Sequence, residues 1–239
     1  TWVSNTATGA SFDVRSQLYG ATGKKVGREV RVNTRALPVL TSASSATALD
    51  GGTWAIAWTY AAKAGAKPIV VARRLTAAGV GNGGEIAVTS ATFAQSDPVA
   101  TRLKGQGFLV AWVSQGQDGS GKGIYAQGFD LTGVRLGSTI LVNQTITSDQ
   151  SEPTLASLSG GGFFAAWTSA GQDGSSNGVY GRLFNWSVTP IADEILLNTT
   201  TYSSQSQPAV AAFSDTDLVA VWTSVGTDKG LEGVYGQRF

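Results

Sequence analysis

The chain repeats one phrase several times. Residues 107–129, GFLVAWVSQGQDGSGKGIYAQGF, recur as GFFAAWTSAGQDGSSNGVYGRLF at 162–184 and as DLVAVWTSVGTDKGLEGVYGQRF at 217–239. A worn copy, TWAIAWTYAAKAGAKPIVVARRL, occupies 53–75, and the tail of another opens the chain at Trp2. Trp58, Trp112, Trp167 and Trp222 are spaced by 54, 55 and 55 residues, and Trp2 stands 56 before the first. A period of this kind belongs to stacked or circular arrays, in which each unit buries its apolar face on the next.

Each unit carries four short strand signals divided by turn residues. In the clearest copy these are Pro98–Leu103, Phe108–Trp112, Ile124–Phe129 and Ser138–Asn143. The second run is apolar at every position, as a strand covered on both faces must be. Gly116–Gly123 and Asp130-Leu131-Thr132-Gly133 supply the turns. Helix signals are essentially absent.

Four strands in about 55 residues, repeated, predict an all-β fold and specifically a β-propeller of four-stranded blades. Complete units fall at about 42–90, 95–143 and 150–198. The partial unit 1–34 supplies strands two to four, and the partial unit 205–239 supplies strands one to three. Counting both gives five blades in one repeat domain spanning 1–239. A four-bladed ring with a composite blade, a ring completed by other subunits and a solenoid are the alternatives.

Composition removes much chemistry. There is no Cys, so thiol catalysis, disulfides and thiolate metal sites are excluded. There is no His, which removes the usual general base and the commonest transition-metal ligand. A net charge of +1 argues against a nucleic-acid partner. Lys24, Lys25, Arg28, Arg31 and Arg35 form a mild basic cluster, read as the guard of an exposed strand edge. No apolar run reaches the roughly 18 residues of a membrane-spanning helix. The chain starts in mid-motif at Thr1, the expectation for a processed or cut protein.

The full phrase combines an apolar run ending Ala-Trp, the Gly-Gln-Asp-Gly-Ser loop and Gly-[Ile/Val]-Tyr before a final Phe. A Val-Asn strand end and Gln-Ser-X-Pro complete it. It resembles the repeats of large secreted bacterial surface and RTX-type proteins, over nearly the whole chain and most closely at 107–239. The resemblance implies a propeller-like module for adhesion or surface display, secreted or on the extracellular surface, and no defined ligand.

Three features are candidates for a site. The anchor tryptophans end fully apolar strands and recur in every unit, which is how a packing anchor behaves; Trp54 is read the same way. Trp186 instead interrupts a turn as Asn185-Trp186-Ser187 and is a candidate platform for a ligand. The equivalent loops holding Gln117 and Asp118, Gln172 and Asp173, and Asp228 offer a polar pocket per blade. There a carboxylate could accept sugar hydroxyls and an amide could both donate and accept. The bland alternative is an Asp that bonds the backbone of its own turn. Calcium is a further option for these loops, although one Asp per loop is thin for six to eight oxygen ligands.

Glu29, Glu85 and Glu194, like Asp97 and Glu152, recur at fixed places and read as parts of the repeat. No catalytic residue is expected. The sequence therefore predicts a non-enzymatic recognition module binding carbohydrate or a cell-surface glycoconjugate through Gln117, Asp118, Gln172, Asp173, Asp228 and Trp186, with protein partners open. The rivals are a glycan-processing hydrolase, which needs two carboxylates facing one sugar, and a structural spacer without a ligand.

Overall fold

The structure is a computed structural model, and it describes residues 1–5, 11–228 and 231–239, the side chains of 40–43, 227 and 228 lying outside the described set. Five antiparallel sheets follow one another along the chain. The first holds β1 (Trp2–Asn5), β2 (Phe12–Tyr19) and β3 (Lys25–Arg31). The second holds β4 (Val39–Ala48), β5 (Trp54–Ala61), β6 (Ile69–Leu75) and β7 (Gly81–Ala87). The third holds β8 (Gln95–Leu103), β9 (Gly107–Gln115), β10 (Lys122–Asp130) and β11 (Arg135–Leu141). The fourth has β12 (Gln150–Ser157), β13 (Phe163–Ala170), β14 (Asn177–Phe184) and β15 (Ile195–Leu196). The fifth has β16 (Gln205–Ala212), β17 (Leu218–Asp228) and β18 (Leu231–Arg238).

In every sheet the strands lie in chain order, and β4, β8, β12 and β16 neighbour one another from sheet to sheet. The architecture is a β-propeller whose innermost strands are these four. The partial units form separate sheets, one without an innermost strand and one without an outermost strand, so no composite blade forms among the described residues.

The period-two alternation of a strand explains the fully apolar runs. In β9, Phe108, Val110 and Trp112 pack on Val70, Ala72 and Val88 of the second unit. Leu109, Ala111 and Val113 face the other way, onto Phe163, Ala165 and Trp167 of the fourth sheet. The same pairing joins first to second sheet through Val14, Val32, Trp58 and Val71, and fourth to fifth through Phe164, Val179, Leu197 and Trp222. Trp58, Trp112, Trp167 and Trp222 are 0, 2, 0 and 5% exposed, so the anchor series is core. Trp54 is half-buried against the same cluster as Trp58. At the two ends of the array the corresponding faces stay open: Trp2 is 40% exposed and Val234 is 79% exposed. The exposed strand β3 carries Lys25, Arg28 and Arg31 on the outer edge, as expected of edge guards.

One side chain ties each outer strand down. Asn33, Asn143 and Asn198, all buried, accept the amide of Val14, Ile124 and Val179 at 2.7, 2.7 and 2.6 Å. Asn143 and Asn198 then donate from Nδ2 to Gln150 and Gln205 of the next sheet at 3.2 and 3.3 Å. The strand-ending Asn is thus a clamp between neighbouring blades.

Turns between the third and fourth strands are closed by the residue that opens them. Asp130 Oδ1 accepts the Thr132 hydroxyl at 2.7 Å and the amides of Thr132 and Val134 at 2.8 and 2.9 Å. The Thr132 hydroxyl and then the Val134 amide hold the Asp130 carboxyl below the usual carboxylate range. A folded pKa lowered in this way gives stability that is present above the unfolded Asp pKa and is lost as pH falls through the folded value. Asp130→Ala is therefore expected to flatten the acid limb of the stability curve relative to the parent, measured by urea unfolding at a series of pH values. An unchanged acid limb would contradict the capping role.

Candidate active site

The innermost strands begin with a shared distortion. Pairing with the second strand slips between Ser96 and Val99, Ser151 and Thr154, and Ser206 and Ala209. At the centre of each slip sits a non-glycine residue with positive φ: Asp97 at 49°, Glu152 at 55° and Gln207 at 54°. The following residues Pro98, Pro153 and Pro208 cannot donate to a ladder, and a bulge is where a strand tolerates proline. A bulge also re-aims a side chain. All three residues are exposed, at the end where the innermost strands start. Left-handed backbone at a residue other than glycine costs about 1 kcal/mol or more, and such strain gathers at functional sites.

Glu152 is the best-held of the three. Its Oε2 accepts the Thr168 hydroxyl at 2.7 Å and the amide of Gln207 at 2.8 Å. Gln207 is the equivalent position one blade on, so one side chain spans the step between neighbouring blades. Asp97 stands one such step on the other side of Glu152, with Oδ2 accepting the Ser96 hydroxyl at 2.8 Å. Two carboxylates therefore occupy equivalent positions on the innermost strands of adjacent blades. In the second sheet the position belongs to Ser44, which has no acid.

The loops singled out from the sequence look inward to their own turns. Asp118 and Asp173 accept the amides of Ser120 and Ser175, each at 3.0 Å, through Oδ1. The second oxygen of each is buried without a hydrogen bond, packed over the bare Cα of Gly123 or Gly178 beside Tyr125 or Tyr180. Burial and then the Asp118 charge push the Tyr125 phenol above its ordinary value; Tyr180 is raised by burial and then by Asp173. Gln117 and Gln172 accept the hydroxyls of Ser114 and Ser169, each at 2.7 Å, and Gln172 also donates to Glu194 at 2.6 Å. Asp228 pairs in register with Leu231, and its side chain lies outside the described residues. Trp186 is 54% exposed, but its turn between β14 and β15 lies at the opposite end of the blade from the Gln-Asp-Gly loop. These residues do not converge on one site. Among the described residues no group of three or more His, Cys, Asp or Glu is placed to hold a metal, and no helix is long and apolar enough to cross a membrane.

Sequence reasoning set Asp97 and Glu152 aside because they recur. The signal that marks them was present: Gln-Ser-X-Pro keeps every position constant except X, which is Asp, Glu or Gln.

No protein-family model matches the chain, and no curated protein sequence does. Solved structures do. A protein of unknown function from Dyadobacter fermentans superposes with a TM-score of 0.61 at 11% identity, over 92% of this chain and 56% of that one. An α-L-arabinanase of Penicillium chrysogenum, complexed with arabinobiose, gives 0.58 at 13% identity over 88% of this chain and 68% of its own. An endo-arabinase from Bacteroides thetaiotaomicron gives 0.50 at 15% identity over 79% and 72%. At these identities the likeness is one of fold. It counts against the expectation of a non-enzymatic recognition module, because an arabinanase and an endo-arabinase, both enzymes, are built on this scaffold.

Proposed function

We propose that the chain is a glycan-processing hydrolase whose reaction takes place where the innermost strands start. The observation that carries the reading is the pair Asp97 and Glu152, on neighbouring innermost strands, each on strained backbone at a bulge. Glycosidic bonds are cleaved by two carboxyl groups, one protonating the leaving oxygen and the other acting as base or nucleophile. A chain without His or Cys has carboxylates as its natural acid–base groups. Glu152, oriented by two donors on Oε2, is cast as the base or nucleophile, and Asp97 as the proton donor. Gln207, at the third equivalent position, places an amide beside them to bond sugar hydroxyls.

The arabinobiose held by the Penicillium arabinanase makes arabino-oligosaccharides the first substrates to try. Incubation with arabinan and a panel of plant and bacterial polysaccharides, followed by reducing-end assay, is expected to show release that disappears in Asp97→Asn and Glu152→Gln. Release that survives in both variants, or none from any glycan with folded protein, would overturn the reading.

A further inference from the structure

One junction between blades lacks two polar groups that its neighbours carry. Between the third and fourth sheets, Glu194 reaches back to accept the amides of Gln144 and Thr145 at 2.7 and 3.1 Å and the Gln172 amide group at 2.6 Å. Between the first and second sheets, Glu85 accepts the amide and hydroxyl of Thr34 at 2.6 and 2.8 Å. The equivalent residue of the third sheet is Thr139, which has no carboxylate. The clamp is shortened at the same junction: Thr89 stands where the neighbours have Asn143 and Asn198. Its hydroxyl still accepts the Val70 amide at 2.9 Å, but the Nδ2 donor is gone.

The junction holds a pocket of about 290 Å³ lined by Thr89, Gln95, Trp112, Gln117, Arg135 and Thr139, against about 240 Å³ at the first-to-second junction, where Glu85 lines the space. Gln95, 3% exposed, has its Oε1 buried without a partner, whereas its counterparts Gln150 and Gln205 are satisfied by the clamp asparagines. The indole N–H of Trp112 is unpartnered too, but so are those of Trp58 and Trp167, so it does not mark the site by itself. Gln117 keeps the Ser114 bond of its counterpart without a carboxylate to receive its amide group. Arg135 is held over the same space by the carbonyl of Val88 at 2.6 Å and by Gln127 at 2.9 Å. The pocket therefore presents donors where the next junction has a carboxylate, and a bare buried acceptor where it has a donor; an arginine spans each of these junctions, Arg73 reaching Val32 and Arg182 reaching Val142 as Arg135 reaches Val88.

We infer that this junction is a binding site for a single acidic sugar residue, a uronate. Its carboxylate would take the place that Glu194 fills one blade on, facing Gln117 and Arg135. A ring hydroxyl would donate to Gln95 Oε1 in place of the missing Asn, since a buried unpaired acceptor gains most from a new partner. The volume suits one small ring at the lower end of ligand pockets. The site lies between blades, reaching Gln95 at the start of β8 two residues before Asp97, and does not rest on the hydrolase reading.

The test uses sodium D-galacturonate with D-galactose as the neutral control, by isothermal titration and saturation-transfer NMR on the full chain. Galacturonate is expected to bind at least tenfold more tightly than galactose. Restoring the repeat with T89N/T139E is expected to weaken that binding at least tenfold while the melting temperature holds or rises. Gln117→Leu, at a half-buried loop position, should weaken it several-fold and serves if the double variant fails to fold. Equal affinity for the two sugars, binding of neither, or full binding by a folded T89N/T139E or Gln117→Leu variant would overturn the inference.

Discussion

Trp167→Ala is expected to lower the free energy of unfolding by about 3–5 kcal/mol, the range for truncating a large buried aromatic side chain. Trp167 has no exposed surface and packs on Ala111, Val113, Ile124 and Val142 of the preceding blade. Removing it opens a cavity at the junction that holds the third and fourth sheets together, and the rigid strands on either side cannot close it. Trp186→Ala is the internal control: that ring is half in solvent and off the repeat pattern, so the cost should stay within about 0.5 kcal/mol. Trp167→Phe should be milder than alanine, because the indole N–H it deletes has no partner to lose. Urea unfolding followed by far-UV circular dichroism distinguishes these outcomes through the midpoint at unchanged slope. A Trp167→Ala protein as stable as the parent would contradict the assignment of the tryptophans as junction anchors.

The same tryptophans show what a repeat makes legible. Apolar residues at every position of Phe108–Trp112 fit a strand buried on both faces, and β9 is that strand, running from Gly107 to Gln115. The four-strand unit and the propeller follow from this pattern and the turn signals. Strand ends were less legible, because ladders continue through polar residues such as Ser114 and Gln115 that carry no hydrophobic signal.

Function was legible in a different and less direct way. The Gln-Asp-Gly loops attracted attention for their polar residues, yet Asp118 and Asp173 spend one oxygen on their own turns and bury the other against Gly123 and Gly178. Asp97 and Glu152 were passed over, since recurrence had been equated with packing. A bulge has no periodicity, so nothing in the alternation announces that these side chains are re-aimed. The junction between the second and third sheets lay further from view. Thr89 and Thr139 are ordinary strand residues, and only the bonds made by Asn143 and Glu194 one blade away reveal what they fail to supply.

The decisive experiment on the channel is the pair Asp97→Asn and Glu152→Gln. Each keeps its shape and an oxygen able to accept a hydrogen bond, so the contacts of Glu152 with Thr168 and Gln207 can persist. Thermal midpoints should therefore stay near that of the parent. Each change removes the capacity to give or take a proton, a contribution of about 10²–10⁴-fold in rate, or about 2.7–5.5 kcal/mol of barrier. The loss should fall on kcat rather than KM, because binding through Gln207 is left in place. The double variant should be little worse than either single one, since acid and base act in one step and removing one already disables the other. Losses that multiply in the double variant, or an effect confined to KM, would assign these carboxylates to sugar binding and place the acid–base pair elsewhere.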